Sequence, residues 1–426
     1  MRIVMSENEF TLDDTSSLFD NDKGMNSEFE NTYAVYFPLE LKDEKYTGPL
    51  YGYYVPETRI FNVISTVPHP TNANVRLLGY ICRELQESPE ELTGYFDENG
   101  TLSFRHRGRR VVISYYSLVR ELFSRNTGIL ESSLMLKKRA VIIGCGSGGS
   151  LIAVELAKSG VGRFLLIDDD VFSYHNIIRH QLGIYDVGKF KVDALKERLL
   201  SINPNLDVAV FPTLLQKISL EDISKYLDGD TILINASDMR SSAHYANYLS
   251  ERYNVPFVAA AGGIRAATGE LFWYIPGKGM PCYACAFGQD THLDTSNRVS
   301  RRIAYANEET IFQPGIAADL DYINIIAVKL IIDLLMKDEP GYYTRLLSSA
   351  SASTSVGVEK LQHPLQNGMR QCTFLCNYPA ATADEKNPEH PNYNSIQQLF
   401  RYPLGIVTMP SIRQDGCYLC RKMREQ

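Results

Sequence analysis

Apolar residues run along this chain in two rhythms. Between residues 33 and 115 they gather in short β-branched and aromatic runs, Tyr33–Phe37, Leu50–Val55, Ile60–Ser65 and Arg110–Ser114, set apart by Pro, Gly and Asn. That pattern predicts a small strand-rich domain, β or α+β. Within it, Leu77 to Leu92 reads as a helix broken at Pro89, because proline disrupts a helix interior. From Tyr116 the rhythm changes. Apolar strands at Ala140–Ile143, Phe164–Ile167, Val208–Phe211, Thr231–Ile234 and Phe257–Ala260 alternate with helical stripes at Ser150–Ser159 and Val192–Leu199. Alternation of this kind predicts an α/β fold, a Rossmann-like doubly wound sheet with helices on both faces. Leu118–Phe123 is a further helix candidate leading into Ser124-Arg125-Asn126. Leu271–Ile275 begins an antiparallel or edge section, and Asp319–Met336 reads as a long apolar helix.

Composition refines this division. Residues 1–32 carry eight acids (Glu7, Glu9, Asp13, Asp14, Asp20, Asp22, Glu28, Glu30) against Arg2 and Lys23, so a solvated acidic tail is expected. Residues 33–115 form the accessory domain. Residues 116–426 form the α/β domain, with an added region around 340–410 in which Ser348–Ser355 and the proline-bearing Asn377–Asn394 read as loops. A net charge of −7 over 426 residues argues against a nucleic-acid backbone as main partner. No apolar run approaches the ~20 residues of a membrane span. The N-terminus lacks an apolar signal core, so a cytoplasmic location is expected.

The densest chemistry lies between Val141 and Lys191. Gly144-x-Gly146-x-x-Gly149 follows an apolar strand and opens a helix, and Asp168 stands at the end of the next strand. This spacing predicts a nucleotide site, with backbone N–H groups on phosphate and an acid on ribose. A dehydrogenase would carry the same motif. The residues that follow are unlike one: Asp168-Asp169-Asp170, then Asn176-x-x-Arg179, then Lys191. An amide, a guanidinium fork and an ammonium suit a triphosphate, although each alone would read as a solvated surface group. Ile232–Asp238 reads as an apolar strand ending in a carboxylate, where Asp238 can hold Mg²⁺. The blander role for Ser237 or Asp238 is to cap the helix beginning near Arg240. Cys282-x-x-Cys285 and Cys417-x-x-Cys420 make a Cys₄ set suited to a closed, structural Zn²⁺ site.

Taken together these motifs closely resemble the ThiF/MoeB-type adenylyltransferases, relatives of the ubiquitin-activating enzymes, over about Phe123–Ile331 and again at Gly416–Cys420. The residues that carry it are the glycines above, Ser159-Gly-Val-Gly162, Asp168-x-Asp170, Asn176-x-x-Arg179, Gly188-x-x-Lys191, Ser237-Asp238 and the two cysteine pairs. The resemblance implies ATP·Mg²⁺ as nucleotide and adenylation of the C-terminal carboxylate of a small β-grasp, ubiquitin-like or sulfur-carrier protein. It implies that Asp168 holds the ribose, that Asp170 also binds the nucleotide, that Asn176, Arg179 and Lys191 contact phosphates, and that Asp238 binds Mg²⁺. Arg125 falls where the family places an arginine reaching into a partner's site, which implies a homodimer. A conjugating enzyme downstream and a bacterial setting are further implications. The chain departs from the pattern at His180, where Gln is usual, and at Met239, where Asn is usual. Ala286–Ala318 holds no cysteine, although thioester-forming members often carry their nucleophile there. Cys372 and Cys376 are then the candidates, with Cys145 and Cys82 behind them. The strands of residues 33–115 also resemble the first strands of JAB/MPN-type domains, whose His-x-His-Pro metal motif is missing around His69-Pro70. Two other readings stay open: adenylation of a peptide or tRNA, and an inactive scaffold.

Overall fold

The computed structural model describes residues 32–68, 75–83, 91–117, 122–262, 266, 268–288, 315–344, 372–376, 406–409 and 414–425, with backbone alone at 268, 372–376 and 406–409. The acidic tail, His69-Pro70 and the expected loops at Ser348–Ser355 and Asn377–Asn394 lie outside the described residues. The chain divides into two compact units, Met1–Glu121 and Leu122–Gln426.

The first unit is a closed seven-stranded barrel. Its strands are β1 (Ala34–Pro38), β2 (Gly48–Val55), β3 (Ile60–Ser65), β4 (Arg76–Cys82), β5 (Leu92–Phe96), β6 (Leu102–His106) and β7 (Arg109–Tyr116), in the circular order β1-β3-β2-β4-β5-β6-β7. β1 closes the ring by pairing in parallel with both β3 and β7, Ala34 standing opposite Ile60 and Val112. Alternate residues point inward and fill the interior with Val35, Phe37, Leu50, Val63, Leu102 and Phe104. One short helix, α1 (Leu39–Asp43), follows β1. The helix expected over Leu77–Leu92 is instead β4, as far as Cys82. A bulge explains the misreading. On β4, Gly79 pairs with Leu50 and Leu77 with Tyr51, so Leu78 is the extra residue. Leu78 and Gly79 are buried in succession, which breaks the two-residue period and leaves a helix-like spacing of Leu77, Leu78 and Ile81.

The second unit is an eight-stranded sheet in the order β10-β9-β8-β11-β12-β13-β14-β15. β8 (Arg139–Ile143), β9 (Arg163–Ile167), β10 (Asp207–Phe211), β11 (Thr231–Asn235) and β12 (Phe257–Gly262) run parallel. β13 (Thr268–Tyr274), β14 (Cys372–Cys376) and β15 (Ile406–Met409) extend the sheet antiparallel. The expected parallel strands are all present. β14 and β15 arise inside the region read as an addition, so part of that region belongs to the main sheet.

Helices cover both faces. α2 (Ser132–Met135) precedes β8; α3 (Ser147–Lys158), α4 (Lys191–Ile202), α5 (Leu220–Ser224) and α6 (Arg240–Tyr253) link the parallel strands. α7 (Tyr283–Phe287), α8 (Ala317–Met336) and α9 (Tyr418–Arg424) complete the unit. On β13, a Cβ at Gly269 would meet Ile323 of α8 at 2.5 Å. Phe272, three residues on, stacks its edge on Tyr283 of α7 with ring centroids 5.3 Å apart. Residues three apart on a strand face opposite sides, so α8 and α7 lie on opposite faces. At the amino-terminal ends of the strands, Arg139 and Arg163 share Asp228 at 2.8 and 2.9 Å. There Lys138 also pairs with Asp230 and Glu339. The strand order reverses between β9-β8 and β11-β12, and the crevice of such a sheet opens at the carboxyl ends on either side of that switch.

Candidate active site

Three connections meet at that crevice: β8 to α3, β9 to α4 and β11 to α6. In the first, the glycines do different work. Gly144 has φ +87°, and a Cβ there would stand 2.7 Å from the Ser237 backbone nitrogen. A Cβ on Gly149 would lie 1.8 Å from the Gly144 carbonyl oxygen. Both positions are fixed by close packing. Gly146, the residue that caps α3, has open space where a side chain would go. The turn therefore offers a bare backbone cradle in front of a helix N-terminus, the geometry that accepts phosphate.

Asp168 ties this loop to the next strand. Its Oδ2 accepts the Cys145 N–H at 2.6 Å and its Oδ1 the Asp170 N–H at 2.8 Å. Burial pushes its carboxyl up from the ordinary carboxylate value, while the Lys191 ammonium pulls it back. Each oxygen keeps a lone pair for a hydroxyl donor. Lys191 opens α4 and is buried. Its N–H donates to the Asp170 carbonyl at 3.0 Å, and its ammonium pairs with Asp170 Oδ2 at 2.9 Å. Gly188, at φ +93°, turns the chain so that α4 starts here.

The segment between them contains a two-turn 3₁₀ helix, Tyr174–Arg179. Asn176 accepts the Ser173 N–H on its Oδ1 at 3.1 Å and so caps that turn, which leaves its amide N–H₂ as the group able to reach a ligand. Arg179 is half-buried with no ion pair among the described residues. His180, the departure from the family pattern, is buried, and its Nε2 lies 2.8 Å from the Cys145 carbonyl oxygen. The Leu182 N–H donates to its Nδ1, so Nε2 carries the proton and the ring is neutral. Burial, before any other cause, lowers its pKa to about 4. The sequence marks His180 as a departure from the family pattern but does not assign it to the glycine loop.

Ser237 and Asp238 follow β11 beside Gly144. Asp238 is exposed at the carboxyl end of the strand. Neither occupies the cap of α6: that position is Met239, whose N–H reaches Ser237 Oγ at 3.4 Å. Nearby, Glu270 of β13 is partly buried, and burial pushes its carboxyl up against the opposing pull of Arg240. Asn324 of α8 sits where a Cβ on Gly148 would meet its Oδ1 at 2.8 Å. Glu270 and Asn324 were not foreseen, since each reaches the site from elements distant in sequence. Arg125 is exposed, in the turn before α2.

The four cysteines converge away from this crevice. Cys282 lies 3.6 Å from Cys285 and 3.5 Å from Cys417, Cys420 lies 3.4 Å from Cys282 and 3.6 Å from Cys285, and all four are buried. A disulfide needs sulfurs about 2.05 Å apart. Four thiolates around a tetrahedral Zn²⁺ at ~2.3 Å leave sulfurs slightly under 4 Å apart, so the arrangement fits a metal and not two bridges. The neighbouring thiols of Cys285 and Cys420, with burial, push the Cys282 thiol far up, because a second anion there has nothing to offset it. A dication supplies that offset. Cys145 is fully buried and its thiol is also raised well above the usual range by burial; it is a packed loop residue. Cys372 and Cys376 begin and end β14, in register with Phe272 and Thr268.

A doubly wound α/β fold with a glycine cradle, a buried acid tied to it and a cationic helix start thus defines the class. The sequence model of the ThiF family matches residues 122–372, and the chain belongs to the ThiF family. Among curated relatives, the adenylyltransferase and sulfurtransferase UBA4 of Meyerozyma guilliermondii is 28% identical over 185 residues, 43% of this chain and 40% of that protein. The sulfur carrier protein ThiS adenylyltransferase of Bacillus subtilis is 31% identical over 150 residues, 34% of this chain and 43% of that protein. This chain therefore spans less than half of the length of each. Among solved structures, E. coli MccB aligns with TM-score 0.43 at 20% identity, over 68% of this chain and 69% of that one.

Proposed function

We propose that this chain is an ATP-dependent adenylyltransferase that activates the C-terminal carboxylate of a small ubiquitin-like or sulfur-carrier protein. The observation that carries the reading is the convergence of Gly146, Asp168, Asp170, Lys191 and Asp238 on one crevice. The names of the relatives support the substrate class.

The open space at Gly146 fits a phosphate chain, and Asp168 has lone pairs free for ribose. In the reaction, a carboxylate oxygen of the carrier protein forms a bond to the α-phosphorus. The bond from that phosphorus to the bridging oxygen breaks, its electron pair leaves with pyrophosphate, and an acyl-adenylate remains. Arg179 and Lys191 face the charge that gathers on the leaving group. Asp238 would hold Mg²⁺, which would supply charge neutralisation as pyrophosphate leaves. Lys191 exchanges its bond with Asp170 for one to phosphate, and Asp170 then turns toward the nucleoside. Cationic clamps of this kind are worth on the order of 10²–10³ in rate each.

A homodimer with Arg125 serving its partner's site completes the reading. It is supported by an exposed apolar patch beside the crevice: Val171, Tyr174, Ile178, Ile184, Tyr185 and Phe190. Tyr185 is 94% exposed and Ile178 75%. Six exposed large apolar side chains within twenty residues of chain suit a protein-contact surface. The four-thiol cluster holds one structural Zn²⁺. For an onward thioester, the thiolate of Cys372 or Cys376 would attack the acyl carbon and release AMP. A conjugating enzyme would accept the acyl group.

The test is exchange of labelled pyrophosphate into ATP, dependent on a β-grasp protein ending in Gly. Asp238→Ala should abolish exchange with the fold intact, since the side chain is exposed. Exchange at the wild-type rate in that variant would sink the assignment.

A further inference from the structure

One end of the barrel is crowded with arginine. β1, β3 and β7 begin there and β2 and β6 finish there. The two turns at that end, with the start of β4, bring together Arg59, Arg76, Arg105, Arg107, Arg109 and Arg110. Arg105 pairs in register with Arg110, and His106 with Arg109, so four of the six lie on one hairpin. Arg76, Arg107, Arg109 and Arg110 are exposed. Glu57 and Glu91 are the acids there among the described residues.

Two of these arginines occupy backbone positions that local physics would give to other residues. Arg107 has φ +51° and is followed by Gly108 at φ +71°, a two-residue turn that favours Asn-Gly. Arg59 has φ +55° in the β2–β3 turn. A long side chain in the left-handed region carries a steric cost, and accepting it twice at the same end points to a use for the charge.

The acidic segment of the chain joins the barrel at this end. Residues 1–32 hold eight acids against two bases. The first described residues are bonded to the arginine turns: the Ala34 N–H donates to the Arg59 carbonyl at 3.1 Å and the Val112 N–H to the Tyr33 carbonyl at 2.9 Å. We propose that the arginine-rich end of the barrel is a docking surface for this chain's own acidic segment, Asp20 to Glu30. Ala34 stands opposite Val112 in a parallel pair. Glu30 and Glu28 precede Tyr33 by three and five residues. Extended chain of those lengths reaches about 10 and 17 Å, enough to let the two carboxylates meet Arg107, Arg109 and Arg110. Charge complementarity and tethering act together, because a tethered segment binds at high effective concentration.

Endoproteinase Glu-C, which cuts after Glu, tests this on the full chain. At low ionic strength, cleavage after Glu28 and Glu30 should be slow. The variant Arg107→Asn/Arg109→Ser/Arg110→Ser should speed it by about five-fold or more, and raising salt to ~0.5 M should bring wild type to the same rate, since exposed charges are screened there. Glu98, in the turn at the opposite end of the barrel, is the internal control. Its cleavage should not change, which separates release of the segment from unfolding. Should the triple variant unfold, Arg107→Asn alone suits the left-handed turn and should still give about two-fold at low salt. Equal rates at Glu28 and Glu30 in wild type and variants, or a salt response that ignores the arginines, would overturn the proposal.

Discussion

The ring of His180 donates from Nε2 to the carbonyl oxygen of Cys145 at 2.8 Å. One side chain thereby ties the 3₁₀ helix that carries Arg179 to the glycine loop. Only the neutral ring with the proton on Nε2 makes this bond while Nδ1 accepts from Leu182. Its pKa of about 4 lies below the unfolded value of 6.5. Its contribution to stability is therefore present above pH 6.5 and is lost as pH falls from 6.5 toward 4, on the order of 3 kcal/mol in all. Chemical denaturation at pH 7.5 and pH 5 checks this. Wild type should lose on the order of 2 kcal/mol more than His180→Gln between the two. Parallel losses would show that the ring does not set the acid limb.

The glycines of the loop should separate by mutation. Gly149→Ala forces a Cβ to within 1.8 Å of a carbonyl oxygen and should destabilise the fold by at least ~2 kcal/mol, an overpacking cost. Gly146→Ala meets nothing and should leave thermal unfolding within about a degree or two of wild type. It should weaken ATP binding about ten-fold, a loss of ~1.4 kcal/mol, by crowding the phosphates. Calorimetry with ATP reads both; unchanged affinity in Gly146→Ala would move the phosphates elsewhere.

Arg125→Ala and Lys191→Ala proteins should each be inactive in pyrophosphate exchange. Mixed and allowed to reassort, they should recover part of the activity, because one shared site then holds both intact residues. Full activity of the Arg125 variant on its own would remove the composite site.

Purified protein should contain about one zinc per chain, the expectation for a closed Cys₄ site. Cys417→Ser should lower the melting temperature and release metal, since binding energy in such sites is folding energy. A wild-type chain stripped of metal that melts unchanged would argue against the cluster as a staple.

What could be read in the sequence was what local rules govern. Val141–Ile143 and Ile232–Ile234 are strands buried on both faces, and unbroken apolar runs announce those directly. The Gly144–Gly149 spacing gave the loop, and the two Cys-x-x-Cys pairs gave the cluster. The barrel's β4 was hidden because Leu78 is a bulged residue, invisible until Leu50 is known to lie across from Gly79. β14 was hidden because its partner Thr268–Phe272 lies a hundred residues earlier in the chain. At the site, Glu270 and Asn324 escaped, and His180 was noticed without its role, for the same reason: their meaning depends on which backbone they approach, and spacing along the chain carries no record of that.

The barrel's closure by β1 has an effect on what the first unit can recognise. A ring in which every strand has two neighbours offers no unpaired row of N–H and C=O groups, so an extended peptide cannot join it as an extra strand. It is shielded from edge-to-edge aggregation on the same ground. In the second unit, β10 and β15 stand at the two edges of the sheet. Among the described residues, free strand edges are therefore confined to that unit. Anything the barrel binds must be gripped by side chains, on its outer wall or at its ends.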